Sequence, residues 1–183
     1  MNTLILPGYS SKNKDWAEEI KRRLAPKIVS RIIYWSHWET GQFEEGWIEK
    51  EVEKILDSEK SQINVIAKSI GTIVAMKILK LKPQLINKII LCGIPIYDFK
   101  PGDGKFYQVM ESISADNILC LQNENDNHGS FIDVEKFIHA INQKVKIVSK
   151  PRSDHDYPYS DDFIKFLYEE KKSEKYFKSI ISR

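Results

Sequence analysis

A serine, an acidic residue and a histidine, in that chain order, are the residues of this sequence whose types and spacing can do covalent chemistry. The serine is Ser69, in Ile66-Ala67-Lys68-Ser69-Ile70-Gly71-Thr72. A serine hydroxyl is a poor nucleophile until a base takes its proton, so it must stand on a tight turn beside a histidine oriented by a carboxylate. Ala67 and Gly71, two residues before and two after Ser69, are small enough to let a strand turn sharply into a helix. As a bare string this pattern has low specificity, and a serine opening a helix is also a plain capping residue. Its context is more specific. Asp126 follows the apolar run Ile118-Leu119-Cys120-Leu121, and His155 follows the run from Val145 to Ser149. All three residues therefore fall at C-terminal ends of expected strands, the edge where open α/β sheets place their sites.

Each assignment has a competitor. Gln122-Asn123-Glu124-Asn125-Asp126-Asn127-His128 offers Glu124 as a second acid, with Asp126 favoured by its distance past the strand. His155, in Arg152-Ser153-Asp154-His155-Asp156-Tyr157, also reads as a solvated loop histidine. His37 and His128 lack ligand spacing to another His, Cys or carboxylate and read as loop residues, so neither a metal nor a cofactor is expected. Trp35, Trp38 and Phe43 either line an acyl pocket or cover the sheet edge. Lys68 adds positive potential beside Ser69 and has no assigned role.

The elements that must position these residues alternate in period. Short apolar runs at about 3–6, 29–35, 63–67, 88–93, 117–122 and 145–149 read as buried parallel strands. Between them Trp16, Ile20 and Leu24 share one helix face, and Trp47, Ile48, Val52, Ile55 and Leu56 share another. A third helix is expected from Ser69 to about Leu81, where Pro83 stops it. A fourth runs from Ser130 or Asp133 to Ile141, and a last starts between Pro158 and Asp161, with Phe163, Phe166 and Leu167 inward. Strand-helix alternation of this kind implies a parallel sheet covered on both faces. Two segments break the alternation. Residues 95–111 carry Pro-Gly-Asp-Gly turn chemistry between aromatics and read as a mobile excursion. Residues 169–183 are Lys-rich with a stripe of Tyr176, Phe177, Ile180 and Ile181, expected to pack back on the domain or to meet a partner.

Composition narrows the partners. The 183 residues, 42% hydrophobic, suit one domain over 1–183 that buries its core without disulfides or metal. Lys and Arg total 28 against 26 Asp and Glu, and a net charge of +2 gives no footprint for nucleic acid. The start Met1-Asn2-Thr3 leads to an apolar run too short for a signal peptide, and no stretch is long enough to span a bilayer. Cys92 and Cys120 sit inside strand-like runs as reduced core residues, so a cytoplasmic protein acting on a small molecule is expected. A nucleotide- or flavin-binding domain fits poorly, because Pro7-Gly8-Tyr9-Ser10-Ser11 contains no glycine-rich phosphate cradle.

Taken together, the layout resembles the α/β-hydrolase superfamily, in particular its smallest members, the minimal lipases and the retinoblastoma-binding type of serine hydrolase. The opening strand Leu4-Ile5-Leu6 runs into Pro7-Gly8-Tyr9 where many relatives have His-Gly and then an oxyanion-hole residue. The resemblance implies a three-layer αβα sandwich without a large cap. Its mainly parallel sheet would have six strands in the order 2-1-3-4-5-6, the family's first two strands being absent. It also implies Ser69 as nucleophile, Asp126 as acid, His155 as base, and the backbone N–H groups of Tyr9 and Ile70 as oxyanion hole. The activity implied is hydrolysis of an ester or thioester of a small or medium acyl substrate through an acyl-enzyme. Pro7 in place of histidine and Ala67 in place of glycine are departures, and they support a second expectation, a hydrolase-fold binding module with little turnover. With only residues 95–111 as extra material, the site should be open, which argues against long buried acyl chains.

Overall fold

The computed structural model describes residues 1–42 and 44–169. Six strands form one parallel sheet: β1 Asn2–Leu6, β2 Ser30–Ile32, β3 Ile63–Lys68, β4 Ile86–Cys92, β5 Ile118–Asn123 and β6 Lys146–Lys150, in the order β2-β1-β3-β4-β5-β6. Successive side chains of a strand point to opposite faces, and here both faces are covered, so the central strands are mostly apolar on both faces. Leu4, Leu6, Val65, Ala67, Ile89 and Leu91 enter one core, whereas Ile5, Ile66, Ile90, Leu119 and Leu121 enter the other.

The helices follow from the same pattern. α1 (Asn13–Leu24) buries Trp16, Ala17, Ile20 and Leu24 against the second face, together with Phe163 of α6 (Ser160–Ile164). α3 (Trp47–Ser58), α4 (Ile70–Leu81) and α5 (Phe131–Ile141) cover the first face. α4 is buried nearly all round, and it ends where Pro83 opens a 3-10 turn. The α5 start is capped by Ser130, whose Oγ accepts from the Asp133 amide at 3.3 Å. No helix among the described residues is long and apolar enough to cross a membrane.

Two expectations change. The second strand covers only Ser30–Ile32, and Trp35 instead caps a five-residue helix, α2 (Ser36–Thr40). β2 pairs with β1 alone, so after Ile32 no second neighbour holds the chain extended, and burial of Trp35 turns it inward. Residues 95–111 are packed rather than excursive: a 3-10 segment, Asp103–Ser112, buries Tyr107 and Met110, and Tyr107 lies among Phe99 and Phe137. The apolar stripe at 176–181 and Phe43 lie outside the described residues.

Candidate active site

Ser69 occupies the junction between β3 and α4 with φ 55° and ψ −126°, the one non-glycine residue at positive φ among those described. Such a conformation costs a residue with a Cβ about 1–3 kcal/mol and persists only when its surroundings enforce it. They do so here from both sides. The Ser69 amide donates to Cys92 O at 2.9 Å, and its carbonyl accepts from the Thr72 amide at 2.8 Å and from Thr72 Oγ1 at 2.6 Å. The Thr72 hydroxyl meets Tyr107 Oη at 2.5 Å, which ties the 3-10 segment to the turn. Gly71 is required by contact: a Cβ there would stand 2.2 Å from Leu6 O.

Asp126 and His155 come together in the loops after β5 and β6. His155 Nδ1 is 2.7 Å from Asp126 Oδ2, which also accepts from Tyr157 Oη at 2.6 Å, while the His128 amide donates to Oδ1 at 2.8 Å. Burial alone would raise the Asp126 carboxyl, but the hydrogen bonds from His155, Tyr157 and the His128 amide outweigh it and hold the pKa below its ordinary value. A carboxylate only accepts, so Nδ1 of His155 carries a proton and, in the neutral ring, Nε2 is left as an acceptor. That Nε2 is buried and has no hydrogen-bond partner among the described residues. Glu124, the competing acid, is exposed and accepts from Ser149 Oγ at 3.4 Å.

Several supporting residues escaped sequence reading. Asn123, at the end of β5, donates through Nδ2 to Asp154 O at 2.7 Å and Asp156 O at 2.9 Å, clamping the backbone on both sides of His155. Gln122 does the same for the Asp126 loop, bonding Gly129 O at 2.6 Å and the Ile94 amide at 2.9 Å. Gly93, at φ 60°, leaves room for the histidine: a Cβ there would lie 2.9 Å from His155 Cε1 and 2.5 Å from Tyr157 Cε2. Polar or glycine residues directly after an apolar strand were the available signal. His128 lies in a turn, as expected, but beside the site, with its ring centroid 4.3 Å from that of His155 and its Nδ1 2.5 Å from Asp98 Oδ2. His37 lies in α2 rather than in a loop.

Ser69 and His155 line one cavity of about 520 Å³, with Tyr9, Trp47, Ile73 and Phe99 among its walls. Ile70, which follows Ser69, also lines it. Trp35 and Trp38 do not line this cavity: both pack on the core beside the edge strand β2, the Trp35 indole donating to Gly8 O at 3.1 Å and Trp38 to Tyr9 O at 2.6 Å. Lys68 is buried with Nζ on Asn13 Oδ1 at 2.7 Å, and burial lowers its pKa.

The fold recurs in solved structures of low sequence identity. The ydeN gene product from B. subtilis superposes with a TM-score of 0.64 at 14% identity, over 91% of this chain and 98% of that one. Alpha/beta hydrolase domain-containing protein 10 from mouse gives 0.64 at 10% identity, over 95% and 90%. XC6422 from Xanthomonas campestris, an a/b serine hydrolase without lid, gives 0.59 at 14% identity, over 84% and 72%. No curated protein matches the chain in sequence. A sequence model of the family described as serine hydrolase matches residues 3–151, a span that includes Ser69 and Asp126 and stops just short of His155. This chain belongs to the serine hydrolase family.

Proposed function

We propose that this hydrolase cleaves ester or thioester bonds of small to medium, apolar acyl groups, with Ser69 as nucleophile, His155 as base and Asp126 as the residue that orients it. The observation that carries this reading is the pairing of a strained, cavity-lining Ser69 with a His155 fixed by Asp126 at 2.7 Å, whose other ring nitrogen is unpartnered. In this mechanism His155 Nε2 takes the Ser69 proton as Oγ attacks the carbonyl carbon. The amides of Tyr9 and Ile70 hold the developing oxyanion, the imidazolium returns its proton to the leaving group, and water releases the acyl group. Asp126 stays ionised throughout and steadies the imidazolium. Ser69 and His155 share no hydrogen bond in the free protein, a looseness common before substrate binds.

The apolar walls Trp47, Ile48, Ile70, Ile73 and Phe99 favour an uncharged acyl group over a polar one. Cys92 and Cys120, both free and buried, fit a reducing, cytoplasmic setting.

The test is reaction with a fluorophosphonate probe followed by mass spectrometry of the labelled peptide. Labelling at Ser69 that vanishes in His155→Ala is expected. A folded protein that never labels would instead make the chain a binding module built on a hydrolase fold.

A further inference from the structure

The carbonyl oxygens of the loop Pro7-Gly8-Tyr9 are held from outside the loop by three ring N–H groups. Trp35 Nε1 donates to Gly8 O at 3.1 Å and lies 3.3 Å from Pro7 O. Trp38 Nε1 donates to Tyr9 O at 2.6 Å, and His37 Nε2 reaches the same oxygen at 2.8 Å. The His37 ring also stacks on Tyr9 at 4.6 Å between centroids. Trp35 is fully buried, so its indole is a fixed post rather than a surface contact.

In a trans peptide the C=O and N–H point in opposite directions. Fixing Gly8 O on the Trp35 indole therefore fixes the Tyr9 N–H on the opposite side of the same plane, away from that indole. Fixing Tyr9 O does the same for the next plane, so the Tyr9 backbone is restrained at both of its peptide groups. The other flank of the loop is closed by Asn13, which a Cβ at Gly8 would meet at 2.7 Å and whose Nδ2 donates to Ser10 O at 2.9 Å. α2, which carries His37 and Trp38, is itself anchored: the buried Glu51 of α3 accepts from the Ser36 amide at 3.1 Å and from Ser36 Oγ at 2.6 Å.

We infer that Trp35, Trp38 and His37 are positioning residues for the oxyanion donor, aiming the Tyr9 amide through its neighbouring carbonyls and taking no part in binding the acyl group. The inference rests on the reading of Tyr9 as an oxyanion donor. An oxyanion donor acts on the transition state, so a misaimed amide lowers kcat and leaves KM nearly unchanged, whereas loss of an acyl-pocket wall raises KM. Complete loss of one donor costs about 10²–10³ in kcat, and a loosened donor should cost about 10–100-fold.

Trp35→Phe and Trp38→Phe keep an apolar ring and remove the N–H. On p-nitrophenyl butyrate each is expected to lower kcat by about 10–100-fold with KM within about threefold of the parent. Amide hydrogen exchange of a peptide spanning residues 7–10, measured in a Ser69→Ala background, is expected to quicken by at least about tenfold in both variants. The exchange arm needs no turnover, so it tests the restraint of the loop even if the parent proves inert, in which case the proposed function fails and not the restraint. Unchanged exchange in folded variants overturns the inference, as does a raised KM with kcat intact.

Discussion

Asp126 and Glu124 differ by two positions and share a charge, yet only one has the surroundings of a carboxylate that must stay ionised beside an imidazole. Asp126 accepts three hydrogen bonds in a buried setting, and they hold its pKa below the ordinary value. Asp126→Asn removes the charge that steadies the imidazolium and puts an amide N–H where it can face His155 Nδ1 and favour the wrong tautomer, so it is expected to lower kcat by about 10⁴, whereas Glu124→Gln should leave the rate within a few-fold. Assays of the two purified variants on one p-nitrophenyl ester decide the matter, and the reverse ranking would transfer the role to Glu124. The sign of the pH effect follows from the same carboxylate. A depressed folded pKa means that its contribution to stability is fully present above the ordinary carboxylate range and is lost as pH falls through the folded value. Acid unfolding of Asp126→Asn should therefore lack that part of the parent's decline.

At the scale of elements, the turn from β3 into α4 works because α4 lies almost on β1. A Cβ at Gly71 would come within 2.2 Å of Leu6 O and 2.8 Å of Pro7 O. Leu6 is held in register with Ala67, so the carbonyl has no room to yield. Gly71→Ala is expected to destabilise by an amount at the upper end of the about 1–3 kcal/mol typical of overpacking, read from urea unfolding, and to slow fluorophosphonate labelling by displacing Pro7-Gly8-Tyr9. A variant as stable as the parent would mean that helix and strand can separate. Gly71 was legible as a tight position, and so were the central strands, because local composition dictates both. α2 was not: Ser36–Thr40 has no apolar stripe, and its place depends on Glu51 and on Trp35 being drawn into the core. The Asn123 clamp and the contact of His128 with His155 join residues about 30 apart, which no local period encodes.

The cavity belongs to the whole molecule, because no single element makes it. Tyr9 follows β1, Trp47 and Ile48 come from α3, Ile70 and Ile73 from α4, and Phe99 from the segment after β4, so its size is set by how all these pack on one sheet. Its lining combines the apolar Trp47, Ile48, Ile70, Ile73 and Phe99 with the charged Asp98, Lys100 and Asp103, so an acyl chain gains by extending only while it lies on the apolar part. Each buried methylene contributes about 0.8 kcal/mol, or about fourfold in kcat/KM. A series of p-nitrophenyl esters from acetate to palmitate should therefore climb by up to about fourfold per methylene at first and then flatten or fall. Ile73→Trp, which fills the inner wall, should move the break to a shorter chain while Ser69 still labels. A profile flat from the first member would mean that the cavity does not take the acyl group, and one still rising at palmitate would mean that the chain finds an apolar path past the charged lining residues.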